Sequence, residues 1–220
     1  MIAKKLADFK NNIPENVKLV AVSKTKSIEQ INEAFDSGHR HLGENKVQEL
    51  VTKYEVLSKE IQWHFIGHLQ RNKVKYIAQF VHLIHGVDSI KLLTEINKQG
   101  QKNNRVIDIL LQFHIAQEDT KFGLNLDEAI AIITSHDYKN CKNVRIAGIM
   151  GMASYTVDKE QVRKEFKHLK QVFDTLKESH FAHDTAFCKI SMGMSGDYQI
   201  AIEEGSTMIR VGSSIFGARE

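Results

Sequence analysis

A lysine just after a short apolar run is the first candidate for chemistry in this sequence. The run KLVAV covers residues 18–22, Lys24 follows it, and Lys26 comes two positions later. Partial burial and the charge of Lys26 would both lower the pKa of the Lys24 amine. A neutral amine is a nucleophile that forms a Schiff base with an aldehyde. Most lysines are instead solvated surface residues, so this role needs a second signal.

Two turns near the end of the sequence supply that signal, because both are rich in glycine and serine. They contain Ser191, Gly193, Ser195 and Gly196 in the first turn, and Gly212, Ser213 and Ser214 in the second. Each turn leads from a strand-like run into a helix-like stretch, where exposed N–H groups and the helix dipole bind anions. Such residues are also common in ordinary turns. Two such turns on neighbouring strands, together with Lys24, favour a phosphate site.

A lysine that seeks an aldehyde and a site for phosphate together indicate pyridoxal 5'-phosphate (PLP) as a cofactor. Arg210 lies two residues before Gly212, so both face the same way from one strand. The guanidinium of Arg210 would donate to the pyridine nitrogen of PLP. A cation there disfavours protonation of the nitrogen and weakens the ring as an electron sink.

The composition is that of a soluble globular protein and excludes several other classes. Of the 220 residues 42% are hydrophobic, and the net charge is only +3. That charge is too small to indicate a nucleic-acid partner, and no run approaches the ~20 apolar residues of a membrane span. The two cysteines, Cys141 and Cys188, lack CxxC spacing. This pattern fits a reducing compartment, and we expect a cytoplasmic protein.

Eleven histidines raise the question of a metal site. Several occur in pairs along the sequence, namely His39 with His41, His64 with His68, His82 with His85, and His180 with His183. No HExxH motif or cysteine set completes a pair to the three or four ligands of a zinc site. The sequence therefore predicts no metal site.

The elements that must position these residues alternate between strand-like and helix-like segments. Eight short apolar runs recur, at 18–22, 40–43, 62–67, 81–87, 106–115, 144–150, 186–191 and 207–212. Stretches of helical period separate them, with predicted ends at Gly38 and Gly100 and a predicted start after Asn125. The alternation allows a doubly wound sheet or a closed (β/α)8 barrel. Eight runs in a chain of more than about 200 residues favour the barrel.

We therefore expect a single α/β domain over residues 1–220, a (β/α)8 (TIM) barrel with an extra N-terminal helix. Ile2, Leu6 and Phe9 share one face of that helix. Glycines fall at or just beyond the predicted strand ends, where backbone approaches a ligand closely. These glycines are Gly43, Gly67, Gly86, Gly148, Gly193 and Gly212.

Five segments carry a specific resemblance to a known family. They are AVSKTK, HLGENKVQEL, WHFIGHLQRNK, EDTKFGL and SMGMSGDYQIAIEEGSTMIRVGSSIFG, and they extend over nearly the whole chain. Together they resemble the pyridoxal phosphate homeostasis protein (YggS/PROSC) family, whose members resemble the N-terminal barrel of alanine racemase. The resemblance implies a PLP-binding barrel of PLP fold type III.

The resemblance also implies roles for individual residues. Lys24 would be the Schiff-base lysine, and Arg210 would face the pyridine nitrogen. The phosphate would be held by Ser191, Ser195, Gly212 and Ser213. The second strand would end at Gly43 and Glu44 with Asn45 near the cofactor, and the third loop would be lined by His64, Gly67, Gln70 and Asn72. Secondary positions near the pocket would be those of Lys26, Lys121, Met150 and Tyr155. Ser27 and His114 depart from the family pattern, which leaves open only the fine shape of the pocket wall.

Three functions remain open at this point. The first, which the resemblance implies, is a protein that holds PLP for intracellular PLP homeostasis without dedicated catalysis, with PLP-requiring apo-enzymes as candidate partners. The second is a PLP-dependent amino-acid racemase, which needs an acid or base on each face of the substrate. The third is a barrel that binds a phosphorylated metabolite without PLP.

The racemase function is the less favoured of the two that use PLP. In alanine racemase one of the two bases is a tyrosine from a C-terminal β-domain of the partner subunit. The present sequence ends at Glu220, directly after the eighth strand and its helix, so we expect neither that domain nor that tyrosine. None of the five tyrosines recognisably replaces it, and Tyr155, on the loop after the sixth strand, is the one to examine. Without the β-domain we also expect a monomer.

Overall fold

The computed structural model describes residues 1–117 and 122–217. Eight strands form the centre of the fold, and they are β1 (Lys18–Val22), β2 (His41–Glu44), β3 (Gln62–Phe65), β4 (Leu83–Val87), β5 (Ile107–Phe113), β6 (Val144–Gly151), β7 (Lys189–Ser191) and β8 (Met208–Val211). All pairs are parallel and follow the order of the sequence, and β8 closes the barrel against β1. Each of the eight predicted runs overlaps one strand, and β2 and β6 each extend one residue beyond the run. The predicted (β/α)8 barrel is therefore confirmed.

Helices surround the barrel and connect its strands. They are α1 (Ile2–Asn12), α2 (Ile28–Asp36), α3 (Val47–Val56), α4 (Val74–Ile77), α5 (Ile90–Lys102), α6 (Leu126–Thr134), α7 (His136–Lys139), α8 (Lys159–Ser179), α9 (Tyr198–Glu203) and α10 (Ser213–Phe216), with a 3-10 turn at Arg71–Lys73 before α4. Capping boxes of Ser27 and Asn125 begin α2 and α6. Within the described ranges, no helix combines the length and the apolar character needed to cross a membrane.

Alternation along the strands divides the core into an outer and an inner part. In β1, Leu19 and Ala21 pack against the helices, whereas Val20 faces the barrel interior. The inner apolar cluster is small and consists of Val20, Leu83, Leu110, Ala147, Met150 and Met208. Polar side chains also lie buried on β3, β4, β7 and β8, namely His64, His85, Ser191 and Arg210. The interior of this barrel is therefore partly polar, and its polar part leads to the candidate site.

Two glycines lie elsewhere than the sequence predicts. Gly100 does not end its helix but lies within α5, where a Cβ would come 2.5 Å from the carbonyl oxygen of Asn143. Gly148 lies inside β6, at a shift of register against β5, and a Cβ there would come 1.8 Å from the carbonyl oxygen of Lys189. Both glycines allow close packing of backbone segments.

Candidate functional site

A cleft of about 810 Å³ opens at the carboxyl ends of the strands. Residues singled out in the sequence line much of it, namely Lys24, Lys26, Asn45, Gly67, Tyr155, Ser195, Arg210, Gly212 and Ser213. Active sites of (β/α)8 barrels are built at this end. Because β8 pairs with β1, the lysine that follows the first strand and the turn that follows the last one are neighbours in space.

Lys24 lies on the turn between β1 and α2, half-buried at the edge of the cleft. The preceding Ser23 is fully buried, and the following Thr25 has a φ of 65°. A β-branched residue in the left-handed region is strained, and such a conformation persists only where surrounding contacts hold it. The position of Lys24 therefore depends on the contacts of its neighbours.

Three charged residues near α3 supply these contacts, and we call them the α3 network (Glu44, Glu49, Lys53). Lys53 Nζ donates to Glu44 Oε1 at 2.8 Å and to Glu49 Oε1 at 2.6 Å. Lys53 also donates to the carbonyl oxygen of Ser23 at 2.8 Å, and Glu49 Oε1 accepts the N–H of Thr25 at 2.6 Å. Burial raises the pKa of the Glu44 carboxyl, and the nearby Lys53 ammonium opposes this rise. The network thus ties both sides of Lys24 to α3.

The two turns predicted to bind phosphate lie side by side at the cleft. Ser195 Oγ accepts the N–H of Gly212 at 3.3 Å, so the first turn contacts the second. Gly193 has a φ of 95°, and a Cβ there would come 2.6 Å from the Cβ of Ala201, which brings the first turn close to α9. Ser213 is exposed at the start of α10. Hydroxyl and backbone donors of two turns therefore face one region of the cleft.

Arg210 reaches the cleft from β8 and is almost fully buried. Its Nη1 donates to the carbonyl oxygen and to the hydroxyl of Ser191, at 2.8 and 2.6 Å. Its Nη2 donates to the carbonyl oxygen of Gly151 at 3.1 Å. Burial lowers the pKa of the guanidinium to about 10, and the charge of Asp197 opposes this shift. Arg210 is therefore a cation at neutral pH, and its hydrogen bonds fix its orientation.

Three residues that the family resemblance placed at the site lie beneath the cleft instead. Ser191 is fully buried and pairs in register with Met208, two residues below Arg210 on the neighbouring strand. Its hydroxyl interacts with Arg210 and His85. Met150 belongs to the inner apolar cluster, and His64 is fully buried on β3. All three side chains face the barrel interior as expected, but they lie further from the carboxyl ends of the strands than the residues that line the cleft.

From Ser191 a series of hydrogen bonds runs through the interior, and we call it the histidine chain (Ser191, His85, His64, His41). Ser191 Oγ lies 2.9 Å from His85 Nδ1, His85 Nε2 lies 3.0 Å from His64 Nδ1, and His64 Nε2 lies 3.0 Å from His41 Nδ1. Burial lowers the pKa of His64 and His85 well below 6.5 and that of His41 to about 3. The three imidazoles are therefore neutral, and each donates from one nitrogen and accepts at the other.

Sequence reasoning missed the histidine chain, because spacing along one strand says nothing about neighbours on other strands. The remaining predicted residues are placed as follows. Lys121 lies outside the described residues, and Gln70 and Asn72 are exposed beyond β3 and do not line the cleft. Tyr155 is 99% exposed at the rim of the cleft. At Gly67 a Cβ would come 2.3 Å from the carbonyl oxygen of Asn45, so the loops after β2 and β3 are in close contact.

The residues of the cleft suit a small molecule that carries both an aldehyde and an anionic group. A half-buried amine is present for the aldehyde, donors of two turns are present for the anion, and a buried guanidinium is present for a hydrogen-bond acceptor. Charge-assisted hydrogen bonds to such an anion are about twice as strong as neutral ones. This set of donors fits PLP, as the sequence predicts.

Comparison with known proteins supplies the family. The family model described as the alanine racemase N-terminal domain matches residues 1–220. A pyridoxal phosphate homeostasis protein of Aquifex aeolicus is 40% identical over 207 residues, which are 92% of this chain and 87% of that protein.

Solved structures agree with this result. PipY of Synechococcus elongatus PCC7942 without PLP has a TM-score of 0.91 at 31% identity, over 99% of this chain and all of PipY. PipY with PLP bound has a TM-score of 0.88 at 30% identity, over 99% of this chain and 100% of that chain. An alanine racemase of Clostridium difficile 630 shares the barrel fold at 14% identity, with a TM-score of 0.79 over 99% of this chain and 56% of that enzyme.

The resemblance inferred from the sequence motifs is therefore confirmed over nearly the full length of the chain. The family model covers every residue, and the Aquifex relative is similar in length as well as in sequence. This chain belongs to the pyridoxal phosphate homeostasis protein family, and with it to the wider family of the alanine racemase N-terminal domain.

Proposed function

We propose that this chain binds PLP, holds it as a Schiff base on Lys24, and contributes to intracellular PLP homeostasis without dedicated catalysis. The observation that carries the proposal is the meeting of Lys24, Arg210 and the turns of Ser195 and Gly212 in one cleft. Two comparisons support it. PipY, at 30% identity, has a structure with PLP bound, and the Aquifex relative is named for PLP homeostasis.

Each group in the cleft has a distinct part in this proposal. The Lys24 amine adds to the aldehyde carbon, and the aldehyde oxygen leaves as water. Donors of Ser195, Gly212 and Ser213 hold the phosphate, and Arg210 donates towards the pyridine nitrogen. Bound PLP supplies an aldehyde and an electron-withdrawing ring. Because water or an incoming amine reverses the imine, this mode of attachment suits storage and release.

The absence of dedicated catalysis is the second part of the proposal. Racemisation needs an acid or base held within hydrogen-bond reach on each face of the substrate. Tyr155 is the candidate for the second base, but its side chain is 99% exposed at the cleft rim, a poor position for proton transfer. The Arg210 cation also keeps the pyridine nitrogen unprotonated and so weakens the ring as an electron sink. Both features favour binding over turnover.

Borohydride trapping tests the attachment site directly. We expect the purified protein with PLP to show a visible absorption band that borohydride removes, and mass spectrometry to find the reduced pyridoxyl group on Lys24. Lys24→Ala should lose the band but still bind PLP more weakly through the phosphate. Lys26→Ala is the matched control, because Lys26 lines the same cleft, and it should keep the band. An adduct on Lys26 or Lys121 in the wild-type chain, with Lys24 unmodified, would overturn the assignment.

The other two functions give different results in related experiments. A racemase would interconvert the enantiomers of free amino acids in the presence of PLP, and Tyr155→Phe would abolish that activity. A barrel that binds a phosphorylated metabolite without PLP would show no absorption band at all. We also propose that the protein is a cytoplasmic monomer that supplies PLP to PLP-requiring apo-enzymes. Sedimentation analysis tests the monomer, and reactivation of an apo-enzyme by the loaded protein tests the transfer.

A further inference from the structure

Three histidines from separate parts of the sequence meet at the amino ends of the strands, at the opposite end of the barrel from the cleft. His41 is the first residue of β2, His64 lies in β3, and His82 directly precedes β4. One ring nitrogen of each histidine lies within 4.8 Å of those of the other two. We call this group the histidine cluster (His41, His64, His82). Nothing in the proposed function uses His82 or this end of the barrel.

We propose that the histidine cluster binds a divalent transition-metal ion of the Zn²⁺ class. Imidazole nitrogens are ligands that such ions prefer. A tetrahedral ion with Zn–N distances of about 2.0 Å needs ligand nitrogens about 3.3 Å apart. His41 Nδ1 and His64 Nε2 are 3.0 Å apart, and His82 completes the group within 4.8 Å, so small ring rotations suffice. Three histidines leave the fourth position to water.

His85, behind His64, is an outer hydrogen-bond partner of the kind that metal-binding histidines use. His64 Nδ1 lies 3.0 Å from His85 Nε2, and His85 Nδ1 lies 2.9 Å from Ser191 Oγ. When His64 donates its Nδ1 proton to His85, its Nε2 lone pair faces the cluster. Histidine ligands of metals commonly donate their second nitrogen to such an outer partner. On metal binding, the hydrogen bond between His41 and His64 would be replaced by two metal–nitrogen bonds.

The charge and accessibility of the cluster define the expected affinity. Burial lowers the pKa of all three histidines, so the lone pairs that a metal needs are free of protons at neutral pH. His82 is exposed and gives the ion a route from solvent. Among the charged groups that act on His82, Lys189, Arg105 and Lys18 are positive, whereas Asp108 is negative. We therefore expect weaker binding than at structural zinc sites, which use thiolates.

Calorimetric titration of the untagged, chelator-treated full chain with ZnCl2 tests the proposal. We expect one saturable Zn²⁺ per chain and reversal by a chelator. His82→Ala should weaken binding at least tenfold, and because His82 is exposed this variant should fold normally. His183→Ala is the matched control, since His183 is exposed in a loop far from the cluster in sequence, and it should bind as the wild type does.

A second variant checks that weaker Zn²⁺ binding does not come from misfolding. A second ion checks that the site is detected by a method other than calorimetry. His41→Ala should also weaken Zn²⁺ binding at least tenfold, and circular dichroism of both variants checks the fold. Co²⁺ in the wild-type site should give the visible absorption of a four-coordinate ion, and His82→Ala should lose it. Equal Zn²⁺ affinity in His82→Ala and His183→Ala, or no saturable binding by the wild-type chain, would overturn the proposal and leave the cluster as a hydrogen-bonded group only.

Discussion

Arg210 links the cleft to the barrel interior, because one guanidinium lines the cleft and donates to two buried carbonyl oxygens. Arg210→Gln removes the charge and leaves at least one of these oxygens without a donor. A hydrogen bond to a charged group contributes about 1.5–3 kcal/mol, so we expect the free energy of unfolding in urea to fall by about 2 kcal/mol or more. PLP should bind more weakly and absorb at a different wavelength, since the cation near the pyridine nitrogen is lost.

The control for this experiment is Arg163→Gln. Arg163 on α8 binds Glu203 and Glu204 near the surface, where ion pairs contribute about 1 kcal/mol or less. This variant should keep the wild-type affinity and absorption spectrum of bound PLP. Equal losses of stability in the two variants would contradict the contribution of the buried hydrogen bonds of Arg210. An unchanged spectrum in Arg210→Gln would show that Arg210 does not act on the ring.

For single residues, the sequence predicts whether a side chain faces the barrel interior better than it predicts the level at which that side chain lies along the barrel axis. Lys24, Arg210 and Gly212 were predicted because active sites of barrels lie at the carboxyl ends of the strands, and all three line the cleft. Ser191 and His64 face inward as expected, but the alternation of side chains does not say at which level of the barrel an inward residue lies. That level follows from the register between strands, and the pairing of Ser191 with Met208 is set by contacts that no single strand contains.

At the scale of the elements, we predict that the two turns after β7 and β8 bind the phosphate of PLP. If they hold the phosphate of PLP, pyridoxal without phosphate loses several charge-assisted hydrogen bonds, each worth about 1.5–3 kcal/mol. We expect pyridoxal to bind at least tenfold more weakly than PLP in fluorescence titrations. Ser195→Ala should lower the affinity for PLP and leave that for pyridoxal unchanged.

Ser179→Ala is the control for the turns, because Ser179 lies at the end of α8 and bonds only within that helix among the contacts described. It should change the affinity for neither aldehyde. Similar affinities of the wild-type chain for PLP and pyridoxal would contradict the assignment of the phosphate to these turns, whatever the result for Ser195→Ala.

The α3 network connects one helix to the strained turn of Lys24, and its removal should affect both stability and PLP attachment. Lys53→Met leaves the fully buried Glu44 without its cation, a change that typically costs about 3–5 kcal/mol. We expect such a loss in urea unfolding, and less borohydride-trapped adduct on Lys24. The double variant Glu44→Gln, Lys53→Met should recover part of the stability, because it removes the uncompensated charge. No recovery would mean that Lys53 acts by packing alone.

The elements themselves were predictable where local signals are strong. All eight strands coincide with the apolar runs to within one or two residues at most ends, and the capping box of Asn125 begins α6 as expected. The predicted helix end at Gly100 was wrong, since a glycine that stops a helix and a glycine that lets a helix approach Asn143 look alike in sequence. The α3 network was not predicted, because it joins a loop, a strand and a helix through ion pairs.

In the whole molecule, the histidine chain joins the two ends of the barrel. It begins beside Arg210 at the cleft and ends at His41, near the amino ends of the strands. Each neutral imidazole donates from one nitrogen and accepts at the other, so the tautomer of one histidine sets that of the next. An apolar interior would provide no such connection between the two ends of the barrel. The same burial makes the folded chain unable to take up protons there.

Because the buried histidines do not take up protons in the folded chain, we predict that the protein loses stability in mild acid. Burial lowers the pKa of His39 to about 4 and of His41 to about 3, and those of His64 and His85 also lie well below 6.5. In the unfolded chain each histidine takes up a proton as the pH falls through about 6.5. The unfolded state then binds more protons than the folded state, so the free energy of unfolding decreases as the pH falls.

The expected slope is about 1 kcal/mol per pH unit for each buried histidine, between pH 6.5 and about 5. Urea unfolding at several pH values, with a chelator present to remove metal ions, measures it. His39→Gln removes one of these groups, so the slope of the free energy of unfolding against pH should become shallower by about 1 kcal/mol per pH unit. His183→Gln alters an exposed histidine and should leave the slope unchanged. A stability that is constant or rises from pH 6.5 to 5 would mean that the buried imidazoles take up protons in the folded chain, and that the barrel interior is more open to water than the hydrogen bonds of the histidine chain imply.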